Sequence, residues 1–296
     1  MILFKKSSLL AGYLQKARNK GKSIGFVPTM GALHPGHISL VETSTRDNPL
    51  TVVSIFVNPT QFNDKKDFEK YPVTIEKDIE LLVASGTEIV FLPDVGEVYP
   101  GGYDTYLPPY NLGYLETVLE GKYRPGHFQG VCRVMNRLLD IVQPNNLYMG
   151  QKDYQQCMVV QRLLNILHST ALLLPCPILR EKDGLAMSSR NTRLGIAERK
   201  KAPAIFLTLN HIKKNIQPGG LSGLLDECTA LLTANDFRVD YVSIADAQTL
   251  EPVTHWNGTR ELVALIAAFQ DEVRLIDNLL LNKYYRPGSS LDTNHG

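Results

Sequence analysis

The chain is short of cysteine, of net charge and of long apolar runs, and each shortage removes a class of protein. Its four cysteines, Cys132, Cys157, Cys176 and Cys228, form no Cys-x-x-Cys pair. A disulfide framework and a zinc site are therefore not expected, which leaves free thiols in a reducing compartment. The formal net charge is +1, with no block of clustered Lys and Arg. A large nucleic-acid footprint needs such a block to displace counterions, so no nucleic-acid partner is expected. The longest apolar run, Leu262 to Phe269, is far too short to cross a bilayer. Met1 to Lys6 lacks the apolar core of a secretory signal. The expectation is a soluble, cytoplasmic protein with no membrane partner.

What is present reads as an ordinary globular chain. It has 296 residues, 44% hydrophobic and 21% charged, enough for one large domain or two ordinary ones. Strand and helix patterns alternate through the first part. Residues 9–19 read as a helix and Ile24, Phe26 and Val27 as a strand. The β-branched run Thr51 to Val57 is a second strand and residues 89–92 a third. Between the last two, Thr74 can cap a helix whose Ile75, Ile79, Leu82 and Val83 share a face. A Gly-, Pro- and Tyr-rich connection from Tyr99 to Tyr110 precedes a helix carrying Val131, Val134, Met135, Leu138 and Val142. A short strand at residues 147–149, a helix carrying Cys157, Val160, Leu164 and Leu167, and a strand at residues 172–174 complete the series. This is the pattern of an α/β fold, a Rossmann-like doubly wound parallel sheet covered on both faces. After about residue 180 the pattern changes to long helical stretches at 197–215 and 221–234. Strands follow at 239–244, 262–269 and 273–281 without long helices between them. The expected division is therefore residues 1–179 and a smaller C-terminal α+β domain, residues 180–296, whose polar tail from Tyr284 onward should fray.

Four stretches carry candidate chemistry. Phe26 to Leu40 passes from strand to helix through a turn holding Gly31, Gly36, His34 and His37. Free N–H groups and the positive helix end suit an anion there, and glycine lets backbone approach it closely. A single histidine in a loop says little; two in such a turn point to a nucleotide site. Gly150-Gln151-Lys152-Asp153 is a second strand-to-helix turn. Lys152 can meet phosphate and Asp153 can hold Mg²⁺ directly or through water, although an exposed Lys–Asp pair opening a helix reads the same way. Met187-Ser188-Ser189-Arg190-Asn191 offers hydroxyls and a guanidinium for a triphosphate, or is a polar linker. Asn58-Pro59-Thr60-Gln61-Phe62 ends a strand; amides such as Gln61 and Gln156 can bind a hydroxyl and a carboxylate together. Arg124-Pro125-Gly126-His127 can wall an anionic pocket. In an open parallel sheet, ligands sit beyond the carboxyl ends of the strands, where these stretches fall.

Taken together, these motifs resemble the pantothenate synthetase (pantoate–β-alanine ligase) family of the nucleotidyltransferase superfamily, with its "HIGH" and "KMSKS" signatures. The likeness runs from about Gly25 to Asn278. It implies an AMP-forming ligase: ATP-dependent condensation of pantoate with β-alanine through a pantoyl adenylate, with Mg²⁺. The N-terminal domain would then bind ATP and pantoate. The resemblance implies catalytic roles for His37 (a proton donor), His34, Lys152, Ser188, Ser189 and Arg190. It implies ATP contacts at Met30, Gly31, His34, Gly36, His37, Gly150, Gln151, Lys152, Asp153, Leu179, Met187, Ser188, Ser189 and Arg190. Gln61 and Gln156 match the pantoate positions, Gln61 also lies beside β-alanine, Asp153 is the position near the metal, and a homodimer is implied. Two departures stand out: Gln151 where the family has Glu, and Val73 where it has Arg. The alternatives are another HIGH-type nucleotidylyltransferase or adenylate-forming enzyme, and a non-catalytic nucleotide sensor.

Overall fold

The computed structural model describes residues 1–63, 65–103 and 108–281, without the side chains of Lys65 and Lys66. The expected tail thus lies outside the described residues, as does the middle of the Tyr99–Tyr110 connection. The first part of the chain runs β1 (Ile2–Phe4), α1 (Ser7–Arg18), β2 (Gly25–Thr29), α2 (Pro35–Asp47), β3 (Thr51–Ile55), α3 (Lys65–Glu69), α4 (Ile75–Ala84) and β4 (Ile89–Phe91). It continues through α5 (Val95–Val98), α6 (Leu119–Tyr123), α7 (His127–Val142), β5 (Asn146–Gly150), α8 (Tyr154–Ile166) and β6 (Leu172–Cys176). The second part holds α9 (Ile196–Lys201), α10 (Ala204–Asn215), β7 (Gly219–Gly220), α11 (Ser222–Thr233), β8 (Phe237–Asp246), β9 (His255–Trp256), β10 (Leu262–Gln270) and β11 (Val273–Leu280).

Six strands form one sheet in the order β1-β4-β3-β2-β5-β6, and every pairing is parallel. From β2 the chain winds outward through β3 and β4, then returns to add β5 and β6 on the other side. The order therefore reverses between β2 and β5, the switch point where α/β sheets open a crevice. Every residue of β3 is buried, as a central parallel strand covered on both faces requires. One core cluster packs α1, α7 and α8 against the sheet, and a second packs α2 and α4 against its opposite face. The second part is an antiparallel sheet in the order β11-β10-β8, with α10 and α11 laid on it over a separate apolar core.

Some expectations needed correction. Val83 is 57% exposed, and the buried positions of α4 are Asp78 and Leu82. Thr74 does not cap α4 through its side chain; its hydroxyl donates to Asp78 Oδ1 at 3.0 Å. The helical stretch expected at 197–215 is two helices, because Pro203 between them lacks the N–H that would continue the ladder. The edge strand β1 and the small β7–β9 ribbon are too short to leave a periodic signal.

Candidate active site

The turn after β2 is held from outside. Gly31 has φ +81° and Ala32 φ +48°, a left-handed pair that glycine makes cheap at the first position. The buried carboxylate of Asp78 then accepts from the N–H groups of Ala32 at 2.9 Å and Leu33 at 2.8 Å. Sequence reasoning missed Asp78. The signal was there: Thr74, Asp78 and Leu82 stand four apart on one helix face, and an acid between two inward positions needs a partner.

Beyond this turn the two imidazoles replace the usual Ser/Glu capping box of α2. His34 Nδ1 accepts the Gly36 N–H at 3.2 Å, and His37 Nδ1 accepts the His34 N–H at 3.4 Å. A backbone N–H only donates, so both Nδ1 atoms are lone pairs and the ring protons sit on Nε2. The rings lie 4.0 Å apart, centroid to centroid. A Cβ on Gly36 would stand 2.9 Å from the His34 ring, which explains glycine there. Burial, then the Lys152 charge, lowers His34 to about 4. Burial, His34 and Lys152 lower His37 to about 3. Both are neutral donors at pH 7, so the anion-binding character of this turn comes from Nε2–H groups and Lys152, not from imidazolium.

The second turn leaves β5 as a single 3-10 turn, Gln151–Asp153, before α8. Lys152 Nζ lies 3.8 Å from Asp153 Oδ1, with the lysine side chain 18% exposed and the aspartate 47%. Among the described residues no three His, Cys, Asp or Glu side chains gather to cage a metal. One half-open carboxylate suits a Mg²⁺ ion that arrives on phosphates and takes a single protein oxygen or a bridging water.

The Asn58–Gln61 segment is locked to α7. A Cβ on Gly130 would meet the Thr60 carbonyl oxygen at 2.0 Å, so only glycine admits this approach. Asn58 Nδ2 donates to the Gly130 carbonyl at 3.3 Å and to Gln61 Oε1 at 3.1 Å. His127 Nδ1–H donates to the Gln61 carbonyl at 2.7 Å, which leaves Nε2 to accept from Arg124 at 3.1 Å. Burial and then the Arg124 charge lower His127 to about 3. The Arg124–His127 stretch thus orients Gln61 as well as walling the cleft.

The Ser188–Arg193 segment closes the opposite side. Arg190 reaches Asp67 through Nη2 at 2.7 Å, and Arg193 reaches the same carboxylate at 3.0 Å. Burial pushes Asp67 up, but these two guanidinium groups outweigh it and hold it below its usual range. Ser189 Oγ donates to Tyr71 Oη at 3.4 Å.

His34, His37, Gln61, Asp67, His127 and the Ser188–Arg190 segment line two adjoining cavities of about 220 and 750 Å³ that share Arg124, Lys152, Asp153, Ser188 and Arg190. Together they are of ligand-cleft size, roughly 300–1,000 Å³. The smaller cavity brings together Met30, His34, Gly36, His37, Gln61, Gly150, Lys152, Asp153, Gln156, Leu179, Met187, Ser188, Ser189 and Arg190. Gly31 and Gln151 are not among its lining: Gly31 donates its N–H to Thr29 Oγ1 at 3.2 Å, and the Gln151 carbonyl accepts from Asn278. Val73 is 67% exposed and lines neither cavity.

Comparison with known proteins gives the family and the fold. The sequence model described as "Pantoate-beta-alanine ligase" matches residues 2–280. The chain is 46% identical over 268 residues to a pantothenate synthetase of Azobacteroides pseudotrichonymphae, covering 90% of this chain and 95% of that protein. It is 43% identical over 271 residues to one from Bacteroides fragilis, covering 91% and 95%. Its fold is similar to the crystal structure of pantothenate synthetase from Thermus thermophilus, with TM-score 0.87, 40% identity and coverage of 96% of this chain and 100% of that one. The pantoate-beta-alanine ligase of Francisella tularensis, solved with beta-gamma ATP and beta-alanine, aligns at TM-score 0.78 and 34% identity over 95% and 98%.

Proposed function

Because the chain belongs to the pantoate-beta-alanine ligase family, we infer that this cleft is where it joins pantoate to β-alanine at the expense of ATP. The observation that carries the reading is the convergence of His34, His37, Lys152, Gln61 and the Ser188–Arg190 segment on one cavity at the switch point.

In the first step a pantoate carboxylate oxygen attacks the α-phosphorus of ATP. The bond to the bridging oxygen breaks and pyrophosphate leaves. The carboxylate is already ionised, so no strong base is needed; the barrier is bringing two anions together in line. Nε2–H of His34 and His37, with Lys152, would stabilise charge on the α-phosphate, His37, implied as a proton donor, acting through the hydrogen bond its neutral ring can give. Ser188, Ser189 and Arg190 would hold the outgoing phosphates, and Arg190 must then share or leave Asp67. Mg²⁺, held through Asp153, would supply neutralising charge on the phosphates. Met30, Gly36, Gly150, Leu179 and Met187 would complete the nucleotide contacts, while Gly31 and Gln151, implied as contacts by the resemblance, would support the two turns from behind the lining. Gln61 and Gln156 would orient pantoate.

In the second step the β-alanine nitrogen, beside Gln61, attacks the acyl carbon of the adenylate. The bond from that carbon to the phosphate oxygen breaks, AMP leaves with the electron pair, and the nitrogen gives up a proton to solvent. Burial of the cleft limits hydrolysis of the adenylate.

We assign residues 1–179 as the ATP- and pantoate-binding domain and 180–296 as the smaller α+β domain. A cytoplasmic homodimer is the assembly proposed. No helix among the described residues is long and apolar enough to cross a membrane. Pyrophosphate exchange into ATP tests the function. Exchange that requires pantoate is expected; exchange driven only by another acid, or none with any, would overturn the reading.

A further inference from the structure

Asn278 belongs to β11, in the second part of the chain, yet its side chain is spent on the first. Its Nδ2 donates to the carbonyl of Gln151 at 2.9 Å and to the carbonyl of Lys152 at 2.8 Å. Both carboxamide hydrogens are thereby used on one turn, while Oδ1 is buried with no hydrogen-bond partner among the described residues. The side chain is thus oriented by its donors. The strand behind it is pinned: Asn278 N–H donates to Asp277 Oδ1 at 2.8 Å, and Asp277 pairs with both Nη atoms of Arg180 at 2.5 and 3.0 Å.

Peptide groups are planar. Fixing the two consecutive carbonyls therefore fixes the peptide planes on both sides of the Lys152 Cα and sets the direction in which its side chain leaves the backbone. Lysine has a long stem with much rotamer freedom, so backbone direction is the main lever on where its ammonium dwells. Lys152 lines both cavities.

We propose that Asn278 is a positioning residue for adenylate formation: its carboxamide, bridging the carbonyls of Gln151 and Lys152, aims Lys152 into the cleft. The inference rests on the ligase reading for the identity of the step. It makes β11 of the smaller part a component of phosphate binding without contact between Asn278 and the nucleotide.

An Asp in this place has the same shape but turns the two donated bonds into oxygen–oxygen repulsion. Asn278→Asp is expected to lower pantoate-dependent pyrophosphate exchange about tenfold or more at saturating substrates, and Asn278→Ala to lower it less, with pantoate KM unchanged. A merely structural role would lower the melting temperature and leave kcat alone. The decisive comparison is a cycle with Lys152→Ala, in which either Asn278 change should cost little further because the group it aims is gone. Should Asn278→Asp fail to fold, Asn278→Ala carries the same cycle. Full wild-type kcat in the folded variants, or an equal loss with and without Lys152, would overturn the inference. ATP titration by calorimetry, run through the same cycle, reads the positioning independently of turnover. Absence of exchange in the wild type would then sink the ligase reading alone.

Discussion

At the scale of single residues, the unusual feature is a helix cap built from two neutral imidazoles. Each Nδ1 is engaged by backbone, so each ring presents one N–H and no charge. Replacing His37 or Lys152 by Ala is expected to slow adenylate formation about 100-fold or more, the cost of a preorganised charge-stabilising donor. Rapid-quench measurement of pantoyl adenylate checks it, and near-normal rates in both variants would refute the roles. The same rings set the response to acid. His34, His37 and His127 have folded-state values lowered from 6.5 to about 4, about 3 and about 3. The unfolded chain therefore takes up protons first, and stability contributed by these groups is lost as pH falls from about 6.5 through those values. Urea midpoints should be level above about pH 7.5 and fall toward about pH 5. A midpoint that does not move over that interval would show these imidazoles to be ordinary.

Elements fix what the residues cannot fix alone. Helix α7 sets the Asn58–Gln61 segment because Gly130 lets the two backbones touch. Gly130→Ala would drive a methyl into the Thr60 carbonyl. The expected loss is about 1–3 kcal/mol of stability, as for other overpacked sites, together with a raised pantoate KM. Denaturant titration and steady-state kinetics read the two effects separately; a stable variant with unchanged KM would mean that α7 does not hold Gln61. The motif Asn-Pro-Thr-Gln-Phe was legible as a strand-ending turn. That its geometry depends on a glycine in another helix was not, since one glycine within a helical pattern carries no address.

Across the whole molecule, a buried charge chain joins the smaller sheet to the cleft. Arg274 of β11 pairs with both oxygens of Glu120 at 2.8 Å, and Glu120 stands 3.7 Å from Arg124, which hydrogen-bonds His127 and through it Gln61. Burial pushes Glu120 up, but Arg274 prevails and holds it at about 2. Removing Glu120 would leave Arg274, in a buried site, with Asp240 alone at 2.8 Å from its Nε. Glu120→Ala is therefore expected to cost about 3–5 kcal/mol, while Glu120→Ala with Arg274→Met should recover part of it. Unfolding free energies of the single and double variants decide this, and strict additivity would show the pair to be uncoupled.

The amino-acid sequence alone determined the alternation of strand and helix, the parallel sheet, the change of pattern near residue 180 and the motifs at the strand ends. Those features are written within about a dozen neighbouring residues, in hydrophobic period and turn chemistry. Only the tertiary structure decided that Asp78 clasps a turn 46 residues away, that Arg190 rests on a carboxylate 123 away, and that Asn278 holds a turn 127 away. An isolated Asp or Asn has the same local appearance wherever its partner lies. Its meaning is set by which buried donor or acceptor folding places opposite it, and no periodicity records that pairing.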